Sequence, residues 1–337
     1  MTQGPDAIRL AVIGTGAISQ VVHVPIFAER EDVALVALAD LDVPKAQTIA
    51  RRFGIDEVIH PDEALDREDL DGVVICTPNQ THEEMAIRAL RSGKHVFVER
   101  PLATTSVGAQ RVIDAAAEAG KSLVVGLPHR FRPEVSALRS FVAGGELGDL
   151  YSVRGSWLTR RVPVMRPTWR QEAAAAGGAL IDLGVSALDL CMWIVGFPKI
   201  KRVSCVTRVR AFEVEDAATL MFESVEGIAF SVEVSNTFFA GDDRYYARVM
   251  GREGTGSLPP LEVYKQLGGR PIEVTPTQPR PRGGENPYMN AYRRLLDHFV
   301  RTVAGRADAE LPVNQVALMR LVEAAYASAK TGKEVEL

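Results

Sequence analysis

The chain has 337 residues, 46% of them hydrophobic and 24% charged, with a formal net charge of −4. That is an ordinary globular composition with room for two domains, each with its own core. It carries no electrostatic footprint for nucleic acid, no apolar segment reads as long enough to span a bilayer, and residues 1–6 lack the basic and apolar regions of a signal peptide.

A first strand is expected at 8–13, running into Gly14-Thr15-Gly16-Ala17-Ile18-Ser19 and a helix over 18–29. A second strand at 33–39 ends in Asp40. Gly14 permits the sharp turn, and Gly16 lets a pyrophosphate approach the backbone. The N–H groups at the helix start, at Ala17 and Ile18, face the anion. Asp40 follows Gly16 by 24 residues, close to where an acid bonds the adenine-ribose hydroxyls. Its charge repels a 2′-phosphate, so NAD is favoured over NADP. Ser19 stands where the fingerprint has its third glycine.

Helices are then expected at 44–53, 81–91 and 106–119, between strands at 72–77, 95–98 and 122–126. Gly93 and Gly120 sit where helices stop. The alternation predicts a doubly wound parallel sheet, an α/β Rossmann domain over residues 1–128. After Pro128 the pattern changes. A helix is expected at 133–143 and another at 179–195, with extended runs at 151–158, 200–209, 217–223, 227–237 and 244–250. Residues 259–287 are rich in Pro and Gly and read as a long surface excursion, followed by helices at 288–303 and 314–331. Residues 129–337 are therefore expected to form an α+β domain with a large, open, mostly antiparallel sheet. Its helices cover one face at most, so the other face is expected to meet a second subunit.

The three cysteines, Cys76, Cys191 and Cys205, lie in apolar runs and read as reduced, buried thiols of a cytoplasmic protein. No Cys/His spacing suits zinc, so no metal is expected.

Three further stretches sharpen the reading: Thr77-Pro78-Asn79-Gln80-Thr81-His82, residues 94–103 around Glu99-Arg100-Pro101, and Gly177-Gly178 through Asp182, Ser186 and Asp189. With the glycine turn and the closing stretch at 324–332, they resemble the glucose–fructose oxidoreductase, inositol dehydrogenase and rhizopine-catabolism (Gfo/Idh/MocA) family. The resemblance implies hydride exchange between a nicotinamide cofactor and a carbohydrate-like alcohol, by a homodimer or homotetramer. It also implies that Thr77, Pro78, Asn79 and His82 lie along the cofactor, and Glu99 near the nicotinamide ribose.

Two positions depart from the family pattern: Arg100 replaces a lysine and Ser186 a histidine. Arginine stays protonated, so Arg100 can orient an oxygen but not exchange a proton. Asp182 remains as a base, one helical turn before Ser186. His129, at the domain junction, is a substitute candidate; Tyr245 and Tyr246 read as packing residues. Arg154, Arg160, Arg161, Arg166 and Arg170, interleaved with Trp157 and Trp169, read as a loop over the cleft. They either bind an anionic substrate group or form solvated and intersubunit ion pairs. The expected function is an NAD(H)-dependent oxidoreductase acting on a sugar-like, polyol or keto-acid molecule with a rearranged acid–base site. The alternatives are a redox-neutral lyase, hydrolase or epimerase on the same scaffold, and a non-catalytic NAD-responsive binding protein.

Overall fold

The computed structural model describes residues 7–161, 168–210, 212–278 and 286–337. The chain divides into two units, the first running to Pro128 and also taking Tyr288–Val316, the second His129–Pro287 with Ala317–Leu337. The expected second domain over 129–337 is therefore interrupted: residues 288–316, with the helix that begins at Pro287, fall in the first unit.

In the first unit, β1 (Ile8–Ile13), α1 (Val24–Ala28), β2 (Val33–Ala39), α2 (Val43–Phe53), β3 (Glu57–Ile59), α3 (Pro61–Asp66), β4 (Gly72–Ile75), α4 (His82–Arg91), β5 (His95–Glu99), α5 (Ser106–Ala119) and β6 (Leu123–Gly126) follow in order. The strands form a six-stranded parallel sheet, β3-β2-β1-β4-β5-β6. Residues 10–13 of β1 and 73–75 of β4 are wholly buried, as strands covered on both faces must be. Local caps set the helix ends. Thr105 accepts the Gly108 N–H at 3.0 Å, and Gly120 closes α5 in the left-handed region. The helix expected at 18–29 forms over residues 17–28, with a wide i→i+5 stretch at Ser19–His23 before regular α-helix resumes at Val24.

The second unit contains α6 (Pro133–Ala143), β7 (Leu150–Arg160), α7 (Val185–Ile194), β8 (Ile200–Arg208), β9 (Ala217–Ser224), β10 (Ala229–Phe238), β11 (Arg244–Gly251), β12 (Gly254–Leu258), β13 (Glu262–Leu267) and β14 (Arg270–Glu273). After α8 (Pro287–Val303), which belongs to the first unit, come α9 (Asn314–Thr331) and β15 (Val335–Glu336). The nine-stranded sheet has the order β14-β13-β12-β11-β7-β10-β9-β8-β15 and is antiparallel except between β7 and β10. Phe230, Val232 and Val234 of β10 are buried while Ala229 and Glu233 are exposed, so one face is packed and one is open. The open face carries Val206, Met221 and Tyr246, at 73%, 65% and 41% exposure.

Two expectations are corrected. The supposed excursion at 259–287 contains the β13–β14 hairpin, whose outer strand is exposed throughout and so lacks the alternation that marks a half-buried strand. A segment with the length and apolarity of a membrane span also exists, Ala173–Ile194, and it is largely buried inside the second unit, where its helical part, from Ala179 on, lies in the core.

Candidate active site

In the first unit the glycine turn is shaped as its residues require. Gly14 sits at φ +90°, and a Cβ there would lie 2.7 Å from the Cys76 carbonyl oxygen. A Cβ at Gly16 would meet nothing within 4 Å, so the backbone there is open to a close-approaching group. Ser19, in place of the third glycine, turns its hydroxyl back to donate to the Gly14 carbonyl. That bond braces the turn from within and leaves the N–H edge of Gly16, Ala17 and Ile18 at the helix start, a cradle suited to a phosphate.

Asp40 closes β2 against this turn. Its carboxylate accepts the Thr15 N–H and the Thr15 hydroxyl, both at 2.6 Å, and the Asp42 N–H at 2.8 Å. Lys45 Nζ lies 3.1 Å away. Burial works against the charged form, but the Thr15 and Asp42 bonds and Lys45 outweigh it and hold Asp40 below its ordinary range. The acid is thus a fixed negative charge beside the turn.

The loop after β4 is locked from beneath. Thr77 Oγ1 lies 2.6 Å from Thr81 Oγ1, which donates to the Pro78 carbonyl at 2.8 Å, and Asn79 is buried. His82 does not present its ring to a ligand: it is buried, with Nδ1 2.7 Å from the Pro101 carbonyl and Nε2 2.9 Å from the Thr77 carbonyl. It ties the end of β4 to the segment after β5. Burial lowers its pKa.

Glu99 is likewise turned inward. Its carboxylate takes His23 Nε2 at 2.8 Å and the Tyr292 hydroxyl at 3.1 Å, and Gly126 leaves it the space. Burial pulls His23 down, but the Cys76 sulfur and the Glu99 carboxylate overrule it and push it up to about 10. Glu99 itself, which burial would raise, is held below its ordinary range by His23. The result is a buried imidazolium–carboxylate pair with Tyr292 on its flank. Glu99 therefore supports the end of β5, and Arg100 is the first residue beyond it.

In the second unit, Asp182 sits on a wide i→i+5 turn, Leu180–Gly184, that leads into α7. Such turns recur at functional sites. Arg170 Nε donates to Asp182 at 3.0 Å, and the same guanidinium lies 4.3 Å over the Trp169 ring. Ser186 is buried one turn later on the same helix.

His129 has its carboxylate partner on α7. It is buried with Nε2 2.7 Å from Asp189, and Arg130 Nε donates to the same carboxylate oxygen at 2.8 Å. Burial would raise Asp189, but Arg130 and His129 hold it well below the carboxylate range. His129 and Arg130 thus tie the start of the second unit to Asp189 of α7.

The arginine stretch is not one loop. Arg154 and Arg160 lie in β7, where Arg160 N–H donates to Asp243 at 2.7 Å, and Arg161 lies 5.3 Å over the Phe239 ring. Arg166 lies outside the described residues. Tyr245 packs against Trp157 with ring centroids 5.4 Å apart, and burial pushes its phenol up to about 12; Tyr246 points to the open face. Sequence reasoning missed Tyr292, Glu215 and Tyr326. Only Tyr326, inside the closing stretch at 324–332, carried a signal.

The family model described as "Oxidoreductase family, NAD-binding Rossmann fold" matches residues 8–127, and "GFO/IDH/MocA C-terminal domain" matches 135–257. D-glucoside 3-dehydrogenase of Escherichia coli K12 is 30% identical over 100% of this chain and 99% of its own. Inositol 2-dehydrogenase of Agrobacterium fabrum is 28% identical over 78% of this chain and 77% of its own. The crystal structure of GenD2 from gentamicin A biosynthesis in complex with NAD superposes with a TM-score of 0.85 at 29% identity, covering 98% of this chain and 97% of that one.

Proposed function

The chain belongs to the Gfo/Idh/MocA oxidoreductase family, and from that premise we propose that it exchanges a hydride between NAD(H) and one carbon of a sugar-like, polyol or keto-acid substrate, using a rearranged acid–base site. The observation that carries the rearranged site is Asp182, fixed on its wide turn with its carboxylate on Arg170 at 3.0 Å. It is the titratable group left at the family's proton-transfer positions, since arginine and serine stand at the other two.

The residues present fit the cofactor: Gly14 and Gly16 for the pyrophosphate, Ala17 and Ile18 N–H groups at the helix start, Asp40 for the adenine ribose, and Thr77, Pro78 and Asn79 in the loop after β4. When bound, the nicotinamide supplies a two-electron hydride acceptor or donor. Asp182 takes the hydroxyl proton in oxidation and returns it in reduction. Arg100, always charged, holds the reacting oxygen and stabilises alkoxide charge in ketone reduction. Arg160, Arg161 and Arg170 supply cations for an anionic group on the substrate. Asp40 disfavours a 2′-phosphate, so NADP is the weaker cofactor.

The open face of the nine-stranded sheet, with Val206, Met221 and Tyr246, supports a homodimer or homotetramer through that face. Three free, buried cysteines support a cytoplasmic setting.

The test is a panel of glycosides, polyols and keto acids with NAD(H), followed by nicotinamide absorbance. Turnover is expected, with Asp182→Asn lowering kcat by ~10²–10⁴-fold and His129→Ala leaving the pH profile in place. Product without net cofactor reduction would replace the reading with a redox-neutral reaction. Tight NADH binding without any turnover would replace it with a binding protein.

A further inference from the structure

The first backbone donors of any helix lack intrahelical partners and are usually met by a local Ser, Thr, Asn or Asp. The turn that carries Asp182 has no such residue: the positions before it are Gly177 and Gly178. Its donors are met instead from 35 residues away, where Glu215 accepts the Leu180 N–H on its carboxylate at 2.8 Å. The backbone carbonyl of Glu215 accepts the Ala179 N–H at 2.9 Å.

The two glycines make room for this. Gly178 sits at φ +123°, and a Cβ there would collide with the Glu215 carboxylate; one at Gly177 would collide with the Arg170 carbonyl. Tyr326 in α9, from the closing stretch that the site has not otherwise used, donates its hydroxyl to the same Glu215 oxygen at 2.9 Å.

The same turn fixes both partners of the Asp182 ion pair. Gly178 N–H donates to the Arg170 carbonyl at 3.0 Å, Asp182 N–H donates to the Gly178 carbonyl at 3.0 Å, and the Arg170 side chain returns to the Asp182 carboxylate.

We propose that Glu215, steadied by Tyr326, is a positioning residue for Asp182: it seats the glycine-bounded turn so that the Asp182 carboxylate stays aligned with Arg170. The kinetic half of this rests on the reading of Asp182 as the proton-transfer group; the alignment itself does not.

Two measurements on the full-length protein separate them. The first is steady-state kinetics with a substrate found in the panel above. Glu215→Ala is expected to lower kcat by ~10²-fold with KM little changed, because a small displacement of a reacting group has that effect, and Glu215→Gln, which keeps the acceptor, is expected to restore most of it. The second is labelling of Arg170 by phenylglyoxal, read by peptide mass spectrometry. Arg170 labelling in Glu215→Ala is expected to rise to the rate in Asp182→Asn, and in Glu215→Gln to stay near wild type. Arg202, paired with Glu223 at 2.5 Å in the same unit, is the control. Wild-type kcat in Glu215→Ala, unchanged Arg170 labelling, or an equal rise at Arg202 would each overturn the proposal. If the wild type turns nothing over, the functional reading fails alone, and the labelling still decides the positioning.

Discussion

Replacing His23 by alanine removes the cation from a buried pair and leaves the Glu99 carboxylate with the Tyr292 hydroxyl and the nearby Arg100 charge. His23 is fully buried, 2.8 Å from Glu99, and packed edge-on against Phe97 and Tyr292 at 5.2 and 5.6 Å between ring centroids. Its pKa is pushed from 6.5 to about 10, first by the Cys76 sulfur and then by Glu99. Breaking a buried pair by removing one partner costs about 3–5 kcal/mol. Because the folded value lies above the unfolded one, this contribution is full below pH 6.5 and is lost as the pH rises through about 10. Glu99 is depressed, so its share is present above 4.5 and is lost on acidification. The assay is urea denaturation of wild type and His23→Ala at several pH values between these limits. All three tryptophans, Trp157, Trp169 and Trp193, lie in the second unit, so unfolding of the first must be followed by circular dichroism. The gap between the two proteins should be largest near pH 6 and narrow steadily toward pH 10, down to the packing loss of the ring. A gap that is constant with pH would refute the charged pair.

Gly14→Ala places a side chain at φ +90° and 2.7 Å from the Cys76 carbonyl, which should cost about 1–3 kcal/mol and weaken NADH binding, measured by nicotinamide fluorescence. Asp189→Asn removes the charge that holds His129 and Arg130. It should destabilise the second unit by about 3–5 kcal/mol, seen by tryptophan fluorescence, with NADH affinity retained.

Much of this was readable because it is local. The turn from β1 into the helix is written in Gly14 and Gly16, and α5 and α6 fall where a threonine cap, a proline start and terminal glycines put them. The strand β3 and helix α3 were missed because three and six residues give no period to detect. Site residues were legible by position and not by orientation. Glu99 and His82 stand where the family motif puts them, yet both side chains turn inward, Glu99 toward His23 and Tyr292, which the quoted motif stretches do not contain, and His82 toward the Thr77 and Pro101 carbonyls. Glu99 meets Tyr292 from 193 residues away, and Glu215 meets Tyr326 from 111 residues away; no spacing rule reaches that far. His129 looked available because its carboxylate partner is 60 residues downstream.

The first unit is discontinuous in sequence, and this bears on how the protein is made. The chain lays down its parallel sheet by residue 126, then builds most of another unit before α8 supplies Tyr292 for Glu99 and Phe299 for Phe97. On the ribosome, the sheet must wait for more than half of the remaining chain before its last buried acid is covered. A fragment cut at Pro128 therefore lacks the helix that covers Glu99 and Phe97, and a stop codon anywhere ahead of α8 would leave an unfinished first unit for the quality-control machinery to find.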